Sequence, residues 1–400
     1  MTTPAVLHQE IQVKFRYGVY FTKDLLTPHN PLLAEIVTQG GGDFPRKLLF
    51  VVDRGLYRHH PHLLAHINDY LGRYPGHLQL AAAPLLVPGG ERVKNEAAPL
   101  SQVLRAIHQA GLCRHSYVVA VGGGALIDMA GYAAAIAHRG VRLLRVPTTV
   151  MAQADASIGV KNSINAFGKK NFLGTFAPPC AVLNDSSFLT TLSRRDWLSG
   201  VAEALKVALI KDAAFFAFLE KSAAALKNRD LEVMQRVIRR SAALHLDHIA
   251  HGGDPFEFGS SRPLDFGHWA AHKLEQLSSF ELRHGEAVAL GMALDATYSH
   301  LAGLLPEAPW RRILAVLAKL GLPRWTPPLA DVRAVLQGLR EFREHLGGPL
   351  TIMLLSGIGQ PLEVHEIKGE VVARALALLG RRAAGEIRPP ATATLAAGPA

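Results

Sequence analysis

Apolar runs of strand length alternate with helix-like segments through the first half of this 400-residue chain. The runs include KLLFVVD (47–53), YVVAVGGG (117–124) and VRLLRVPTT, and segments between them, such as PLSQVLRAIHQAG, show helical periodicity. Strands that alternate with helices predict a parallel sheet with crossover helices on its faces. The alternation therefore restricts the first half to an α/β fold, and we expect a Rossmann-like arrangement.

The pattern of apolar residues changes at about Ser193. Stretches such as SGVAEALKVALI and WRRILAVLAKLG have helical periodicity, and strand signals become rare. We predict an α/β domain over residues 1–192 and an all-α domain over residues 193–378. The end, residues 379–400, is rich in Pro, Ala and Thr and is predicted to be disordered.

Charge and composition exclude several classes of function. The formal net charge is +10, but Lys and Arg are scattered without blocks or interleaved aromatic residues. This pattern favours anionic metabolites over nucleic acid. No apolar run reaches about 18 residues, so no transmembrane helix is predicted, and MTTPAVLHQEIQVKF lacks the features of a signal peptide. The two cysteines, Cys113 and Cys180, share no short spacing, which fits reduced thiols in the cytoplasm.

The turn VGGGALIDMAG follows a predicted strand and opens a predicted helix. Gly123 and Gly124 let backbone amides approach a phosphate at the start of that helix. The G-x-G-x-x-G pattern is absent, so a tight turn without a ligand is an equal alternative. Asp53, at the end of a preceding strand, fits either a ribose contact or a helix N-cap. Glu91 and Lys94 in PGGERVK are further candidate residues in a predicted loop. The alternative interpretation of this pair is a solvated turn.

The richest polar stretch is RVPTTVMAQADASIGVKNSINAFGKKNFLG, residues 145–174. We predict a ligand-lining loop, because long loops inside compact domains are usually functional. A long exposed loop is the alternative. The hydrogen-bonding side chains of this stretch include Thr148, Thr149, Asp155, Lys161, Asn165, Lys169, Lys170 and Asn171.

Two histidines, His268 and His272, lie four residues apart in RPLDFGHWAAHKLE. A helix places both imidazoles on one face, one turn apart. His284 follows at a predicted helix start, and Glu203 is a carboxylate in an equally apolar helical segment. A carboxylate with two or three imidazoles suits Zn²⁺ or Co²⁺ with an open coordination position. Core histidines and a plain ion pair between Glu203 and Lys206 are the alternatives.

These motifs, in their order along the chain, resemble those of the sugar phosphate cyclase superfamily and most closely those of 3-dehydroquinate synthase. The resemblance runs from about Asp53 to His284. It is carried by PGGERVK, VGGGALIDMAGYAAA, HRGVRLLRVPTT, DASIGVKNSIN, GKKNFLG, FLTTL, GVAEALKVALI, GHWAAH and HGEAVALGM. The sequence RPLDFGHWAAHKLE is similar to that of a divergent branch of the family, the EboD-like proteins. The resemblance implies a Rossmann-like NAD-binding domain followed by an all-α metal-binding domain.

The resemblance also implies roles for individual residues. The metal, Zn²⁺ or Co²⁺, would be held by Glu203, His268 and His284, with His272 as a pocket residue. The implied NAD contacts are Asp53, Glu91, Lys94, Gly123, Gly124, Asp128, Thr148, Thr149, Lys161, Lys170, Phe188 and Thr191. The implied catalytic and substrate contacts are Lys161, Lys206, His272, Asp155, Asn171 and Arg139. Of these, Arg139 would reach the phosphate held by the neighbouring subunit of a homodimer.

The implied activity is conversion of a phosphorylated sugar into a carbocycle by oxidation, β-elimination of phosphate, reduction and intramolecular aldol closure. Four positions depart from the family pattern: Ser261 replaces an Arg, Asp265 an Asn, and His245 and Gln360 each a Lys. Each lost charged hydrogen bond weakens the hold on an anionic substrate by about 1.5–3 kcal/mol. We therefore leave open whether the substrate is that of 3-dehydroquinate synthase or another, such as sedoheptulose 7-phosphate. A metal-dependent polyol dehydrogenase is a third alternative.

Overall fold

The structure is a computed structural model that describes residues 6–39, 41, 44–252, 254–256, 263–279, 281–346 and 349–385. The chain divides into two units, the first comprising Met1–Pro147 and Val160–Asp185 and the second Thr148–Gly159 and Ser186–Ala400. The boundary after Asp185 precedes the one predicted between residues 192 and 193. Thr148–Gly159, predicted to lie in the α/β domain, belongs with the helical unit because it packs on helices of that unit.

The first unit is built on a parallel β-sheet. The strands of this unit are β1 (Gly18–Thr22), β2 (Arg46–Asp53), β3 (Leu78–Leu80), β4 (Leu85–Val87), β5 (Tyr117–Gly122), β6 (Arg142–Pro147), β7 (Lys161–Ala166), β8 (Lys169–Phe176) and β9 (Ala181–Asp185). Its helices are α1 (Leu32–Thr38), α2 (Arg54–His59), α3 (Leu63–Arg73), α4 (Arg92–Asn95), α5 (Ala97–Gln109) and α6 (Gly124–Ile136). Among the described residues the sheet order is β1-β9-β6-β5-β2-β3, with β4 also paired to β2, and all these pairs are parallel.

The central strands are buried along their length, as strands with helices on both faces must be. Residues 48–52 of β2 are 0% exposed, as are Val118 and Val119 of β5. The small-residue helix α6 packs against this core through Met129 and Ala130. The predicted α/β fold of the first half is thus confirmed.

The polar stretch 145–174 is not the long loop that its composition predicts. It contains the end of β6, a π-helical turn (Ala152–Ala156) and the antiparallel hairpin β7–β8. The hairpin turns at Phe167 and Gly168, whose φ angles are +53° and +70°. Two positive φ angles are what a two-residue hairpin turn requires, and Asn-Gly or Asp-Gly is the usual signal for it. Phe-Gly carries no such signal, so the hairpin was not predicted from the sequence.

The second unit is mainly helical. Its helices are α7 (Arg194–Lys211), α8 (Ala213–Lys227), α9 (Leu231–His251), α10 (His268–Leu277), α11 (His284–Leu301), α12 (Glu307–Leu320), α13 (Val332–Leu346) and α14 (Gly369–Ala383). Among the described residues of this unit, four helices begin at side-chain caps: Ser193 accepts the Asp196 N–H, Asp212 the Ala214 and Phe215 N–H groups, Asp230 the Val233 N–H and Asp331 the Ala334 N–H. Such caps satisfy amides that the first turn of a helix leaves unpaired.

Two details of the second half differ from the prediction. The unit is not all-α, because β10 (Ile352–Gly357) and β11 (Gln360–Val364) form an antiparallel hairpin. Short apolar runs such as TIMLLSG do not distinguish a buried strand from a buried helix. Helix α14 extends through residues 379–383, which were predicted to be disordered, and residues 386–400 lie outside the described part of the chain.

Every helix among the described residues is too short or too polar to span a bilayer.

The backbone that leads into helix α10 packs directly against the backbone of helix α11. Gly267, the N-cap of α10, has a φ of +80°, and a Cβ placed there would lie 2.7 Å from the Met292 backbone nitrogen. A Cβ on Gly291 would lie 1.9 Å from the Gly267 carbonyl oxygen. Both positions require glycine, because no side chain fits between the two backbones.

Replacing Gly291 by alanine should therefore destabilise the helical unit. We expect a loss of about 1–3 kcal/mol, the usual penalty for overpacking. All four tryptophans lie in the second unit, so denaturation followed by tryptophan fluorescence reports on this unit. Gly369→Ala is the matched control, because its Cβ would be 3.4 Å from the nearest atom, a Leu336 methyl group. Equal stability of the two variants would contradict the close approach of α10 and α11.

Candidate active site

Three helices of the second unit bring Glu203, His268 and His284 together. Glu203 lies in the middle of α7, and the two histidines are the first residues of α10 and α11. The Oε1 atom of Glu203 is 3.8 Å from His268 Nε2 and 3.4 Å from His284 Nε2. Gly285 permits this arrangement, because a Cβ there would lie 1.9 Å from the Ser199 carbonyl oxygen on α7.

The second nitrogen of each imidazole has an acceptor nearby. His268 Nδ1 lies 3.3 Å from the Phe266 carbonyl oxygen, and His284 Nδ1 lies 3.2 Å from Glu275 Oε1. An Nδ1–H donated to these acceptors leaves the lone pair on Nε2, the atom that faces Glu203. Metal-binding histidines are usually held by this kind of second hydrogen bond.

The geometry of these side chains fits a divalent transition metal. The three ligand atoms lie within 4.8 Å of one another. Atoms bound at about 2.0–2.1 Å around a tetrahedral ion are roughly 3.4 Å apart, close to the observed separations. Burial lowers the pKa of His268 well below its usual value, with the nearby charge of Lys206 acting in the same direction, so this imidazole is neutral and can ligate. One carboxylate and two imidazoles also leave a coordination position open.

A charged chain extends from Glu203 through Lys206 to Asp155. Lys206 Nζ is 2.6 Å from Glu203 Oε2 and 3.7 Å from Asp155 Oδ2, and His245 Nδ1 is 2.6 Å from Asp155 Oδ1. Burial alone would lower the pKa of Lys206, but the carboxylates of Glu203 and Asp155 raise it above its ordinary value. Burial alone would likewise raise the pKa of Glu203, and Lys206 holds it well below its usual range. The side chain at 206 is therefore a buried cation beside the candidate metal centre.

His272 lies next to this centre without belonging to the same three ligands. Its ring centroid is 5.5 Å from that of His268 and 6.0 Å from that of His284. With Glu275 and His284 it forms a second group of possible ligand atoms within 4.8 Å of one another. Glu275 was not among the predicted site residues, although its position seven residues after His268 places it on the same helix face.

In the first unit, Asp53 and the glycine turn lie side by side at the carboxyl ends of β2 and β5. Val52 of β2 pairs with Val121 of β5, so Asp53 and Gly122 end neighbouring strands. The chain forms β3 and β4 on one side of β2 and β5 on the other, and this reversal is where open α/β sheets bind ligands. Asp53 does cap α2, accepting the Gly55 N–H at 2.7 Å, and burial raises its pKa.

Helix α6 starts at the same edge of the sheet, directly after Gly123. The first N–H groups of a helix have no partner within it and point along its axis. These groups, the carboxylate of Asp53 and the strand reversal together fit the phosphate and ribose of a dinucleotide.

A polar cluster of the first unit gathers four of the predicted residues. Lys94, which is buried, contacts Asp128 Oδ2 at 2.7 Å and also contacts Asn171 Oδ1. Asn165 donates to Glu91 Oε1 at 2.9 Å and accepts the Asn171 N–H at 2.8 Å. The structure thus brings Glu91, Lys94, Asp128 and Asn171 together, and the hairpin β7–β8 supplies the asparagines.

The remaining predicted residues are spread over both units. In the first unit, Lys161 begins β7, Lys170 lies in β8, and the exposed Arg139 lines a surface depression of about 490 Å³ with Arg114 and His138. In the second unit, Thr148 and Phe188 are buried. Thr149 Oγ1 accepts the Ala152 N–H at 3.2 Å, and Thr191 Oγ1 donates to the Phe188 carbonyl oxygen at 3.3 Å.

Three of the four departures from the family pattern can be located. Asp265 is close enough to Lys206 to raise its pKa, behind the contributions of Glu203 and Asp155. His245 is engaged by Asp155, and Gln360 is exposed at the start of β11. Ser261 lies outside the described residues.

The fold and these clusters define a class of protein that combines a dinucleotide-type α/β sheet with a helical unit bearing a buried carboxylate–imidazole centre. The 3-dehydroquinate synthase N-terminal family matches residues 84–199, and the 3-dehydroquinate synthase C-terminal family matches residues 200–341. The chain belongs to the 3-dehydroquinate synthase family of sugar phosphate cyclases.

Relatives within this family carry two different names. A 3-dehydroquinate synthase of Pelobacter propionicus is 38% identical over 282 residues, which is 70% of this chain and 77% of the relative. A 2-epi-5-epi-valiolone synthase of Streptomyces glaucescens is 34% identical over 373 residues, 92% of each chain. The solved structure of a 2-epi-5-epi-valiolone synthase from Streptomyces hygroscopicus, with NAD⁺ and Zn²⁺ bound, is 31% identical. It has a TM-score of 0.84 and covers 94% of this chain and 100% of that one.

Proposed function

We propose that this protein is a sugar phosphate cyclase that uses NAD and a divalent metal, Zn²⁺ or Co²⁺. The observation that carries the proposal is the convergence of Glu203 with the Nε2 atoms of His268 and His284 in a buried site. When bound, the metal supplies a Lewis acid and NAD a reversible hydride acceptor, which permits oxidation, phosphate elimination, reduction and aldol closure.

Side chains near the metal ligands have roles that follow from their charge. Lys206 is a buried cation held by two carboxylates, and we assign it to stabilising negative charge that develops on the substrate. Asp155 holds Lys206 and His245 and is assigned to orienting the substrate. His272, beside His268 and His284, is assigned to moving protons because an imidazole can both donate and accept near neutral pH.

The dinucleotide is assigned mainly to the first unit. The proposed contacts are Asp53, Glu91, Lys94, Gly123, Gly124, Asp128, Thr148, Thr149, Lys161, Lys170, Phe188 and Thr191. Support comes from Asp53 and the start of α6 at the strand reversal, where the sheet presents amides for phosphates and a carboxylate for ribose. Lys161 and Asn171 are further assigned to substrate.

The identity of the sugar phosphate has two candidates. The first is the substrate of 3-dehydroquinate synthase, 3-deoxy-arabino-heptulosonate 7-phosphate, which carries a carboxylate. The second is a sugar phosphate without a carboxylate, such as sedoheptulose 7-phosphate. Two departures from the family pattern favour the second. Asp265 adds a carboxylate near Lys206, which opposes a further negative charge, and His245, in place of a lysine, is paired to Asp155.

We further propose that the protein is a cytoplasmic homodimer with no role in nucleic-acid or membrane binding. Arg139 is exposed on a turn and shares a surface depression with Arg114 and His138. Two guanidinium groups at one surface site suit a phosphate, which supports the assignment of Arg139 to the substrate phosphate of a partner subunit.

A phosphate-release assay tests the proposed activity. The purified protein, supplied with NAD⁺ and Zn²⁺ or Co²⁺, should release inorganic phosphate from sedoheptulose 7-phosphate faster than from the heptulosonate phosphate. NADH should not accumulate, because each hydride is returned within the same turnover. His268→Ala should release no phosphate. Net NADH formation from a polyol would instead indicate a dehydrogenase, and release from no sugar phosphate would contradict the proposal.

A further inference from the structure

The buried carboxylate of Asp295 binds the chain on both sides of His268. Asp295 lies on α11 and is 1% exposed. Its Oδ2 atom accepts the Gly267 backbone N–H at 2.9 Å, and its Oδ1 atom accepts the Trp269 indole N–H at 2.8 Å. The residue between these two donors is the candidate metal ligand His268.

Nothing in the proposed chemistry requires a carboxylate at position 295. A carboxylate in an apolar core is unfavourable unless its partners compensate for the lost hydration. Burial raises the pKa of Asp295 to about 7, although the hydrogen bonds from Trp269 and Gly267 act in the opposite direction. A core helix that needed only packing would have an apolar side chain here, so the two directed hydrogen bonds are the feature that needs an explanation.

The two hydrogen bonds restrain different parts of the segment that carries His268, one the backbone and the other a side chain. The bond to Gly267 fixes the left-handed N-cap from which α10 starts. The bond to Trp269 fixes a large buried ring one residue after the ligand. Together they tie the first turn of α10 to α11, and His284 is the first residue of α11.

We propose that Asp295 is a positioning residue for the metal centre, holding His268 in register with His284 by bonding the residues on either side of it. This proposal rests on the metal centre of the proposed function. It goes further in assigning metal affinity to a side chain outside the ligand set. A histidine held in place before the metal arrives loses less freedom on binding, which raises affinity.

The Asp295→Asn variant separates positioning from packing. Its amide has nearly the same shape as the carboxylate but has an NH₂ group in place of one oxygen. Because Gly267 and Trp269 donate to different oxygens, one of these two donors would face the NH₂ group instead of an acceptor. We expect the dissociation constants for Zn²⁺ and Co²⁺, measured by competition with a chromophoric chelator, to rise about 10- to 100-fold. The visible absorption spectrum of the Co²⁺-loaded protein should also shift, because the spectrum reports the ligand geometry.

Thr297→Val is the matched control on the same helix. Thr297 is also buried and also accepts an indole N–H, that of Trp310, at 3.0 Å. This variant should lose stability while keeping wild-type metal affinity and the wild-type Co²⁺ spectrum. Trp269→Phe provides a second test that keeps the carboxylate and removes one donor, and it should weaken metal binding less than Asp295→Asn does.

The outcomes distinguish a failure of the positioning role from a failure of the metal centre. Wild-type metal affinity and spectrum in folded Asp295→Asn or Trp269→Phe would overturn the positioning role and leave the proposed function intact. Equal loss of affinity in Thr297→Val would also overturn it, because the effect would then be one of general stability. A wild-type protein that binds neither Zn²⁺ nor Co²⁺ would overturn the metal centre itself and this role with it.

Discussion

Glu203→Gln is expected to abolish both metal binding and phosphate release. The amide preserves the size of the side chain but removes the negative charge at the point where His268 and His284 converge. It also removes the nearest anionic partner of the buried Lys206 ammonium and leaves it the more distant carboxylates of Asp155 and Asp265. We expect turnover to fall about 1,000-fold or more, the effect of losing one preorganised charge-stabilising group. Phosphate release and the metal content after dialysis measure the two losses.

A carboxylate on the surface of the same unit is the control for this experiment. Glu220 lies on α8 and pairs with Arg312 at 2.7 Å. Surface ion pairs contribute at most about 1 kcal/mol, so Glu220→Gln should keep normal activity and metal content. Full turnover with bound metal in Glu203→Gln would remove Glu203 from the ligand set and contradict the proposed centre.

The candidate metal centre could be predicted in part because its residues have strong local signals. His268 and His272 have the spacing of one helical turn, and Glu203 interrupts an apolar helix, so the sequence indicates a carboxylate–imidazole site. Spacing alone left open which of the histidines would converge. The structure brings His268 and His284 to Glu203, because backbones approach each other closely at Gly285 and Gly291, and such packing has no short-range signature.

The supporting residues were harder to predict than the ligands. Glu275 and Asp295 act through hydrogen bonds to residues that are near them only after folding. In the linear sequence each is a single acid within a helix, where a solvated face is the usual explanation. Their roles depend on burial, which periodicity predicts for a whole face but not for a single polar position.

The same limit explains the errors in secondary structure. The parallel sheet was predictable because buried strands of residues 47–53 and 117–122 are continuous apolar runs. The hairpin β7–β8 was missed because its strands are polar and its turn, at Phe167 and Gly168, lacks the usual residues. The hairpin β10–β11 was missed because Met and Leu in its first strand are also good helix formers.

The candidate sites of the two units are formed in different ways. In the first unit, the candidate dinucleotide site is made of backbone amides and one carboxylate at strand ends, so it follows from topology. In the second unit, the candidate metal site is made of side chains from three helices, so it depends on packing and on buried charge. Substitutions among the residues of the candidate metal site should therefore couple stability to metal binding, and Lys206 is the residue where this coupling should be largest.

Lys206→Met is expected to destabilise the metal-free protein severely and to abolish phosphate release. The methionine fills a similar volume, but Glu203 loses a cation 2.6 Å away while remaining 1% exposed. Breaking a buried ion pair from one side costs about 3–5 kcal/mol, because the remaining charge has no compensation. Denaturation of the metal-free protein, followed by the fluorescence of the tryptophans in this unit, measures the loss.

The control for Lys206 is a lysine at the end of the same helix. Lys211 is exposed and lies 3.2 Å from His248 Nδ1, so Lys211→Met should change stability by less than about 1 kcal/mol. Zn²⁺ or Co²⁺ should restore most of the stability lost in Lys206→Met, because an ion bound to Glu203 replaces the missing positive charge. The catalytic defect should persist, since the ion does not replace an ammonium group beside the substrate. Stability of Lys206→Met equal to that of Lys211→Met, or a loss that metal does not reverse, would show that Glu203 is not the charge this cation compensates.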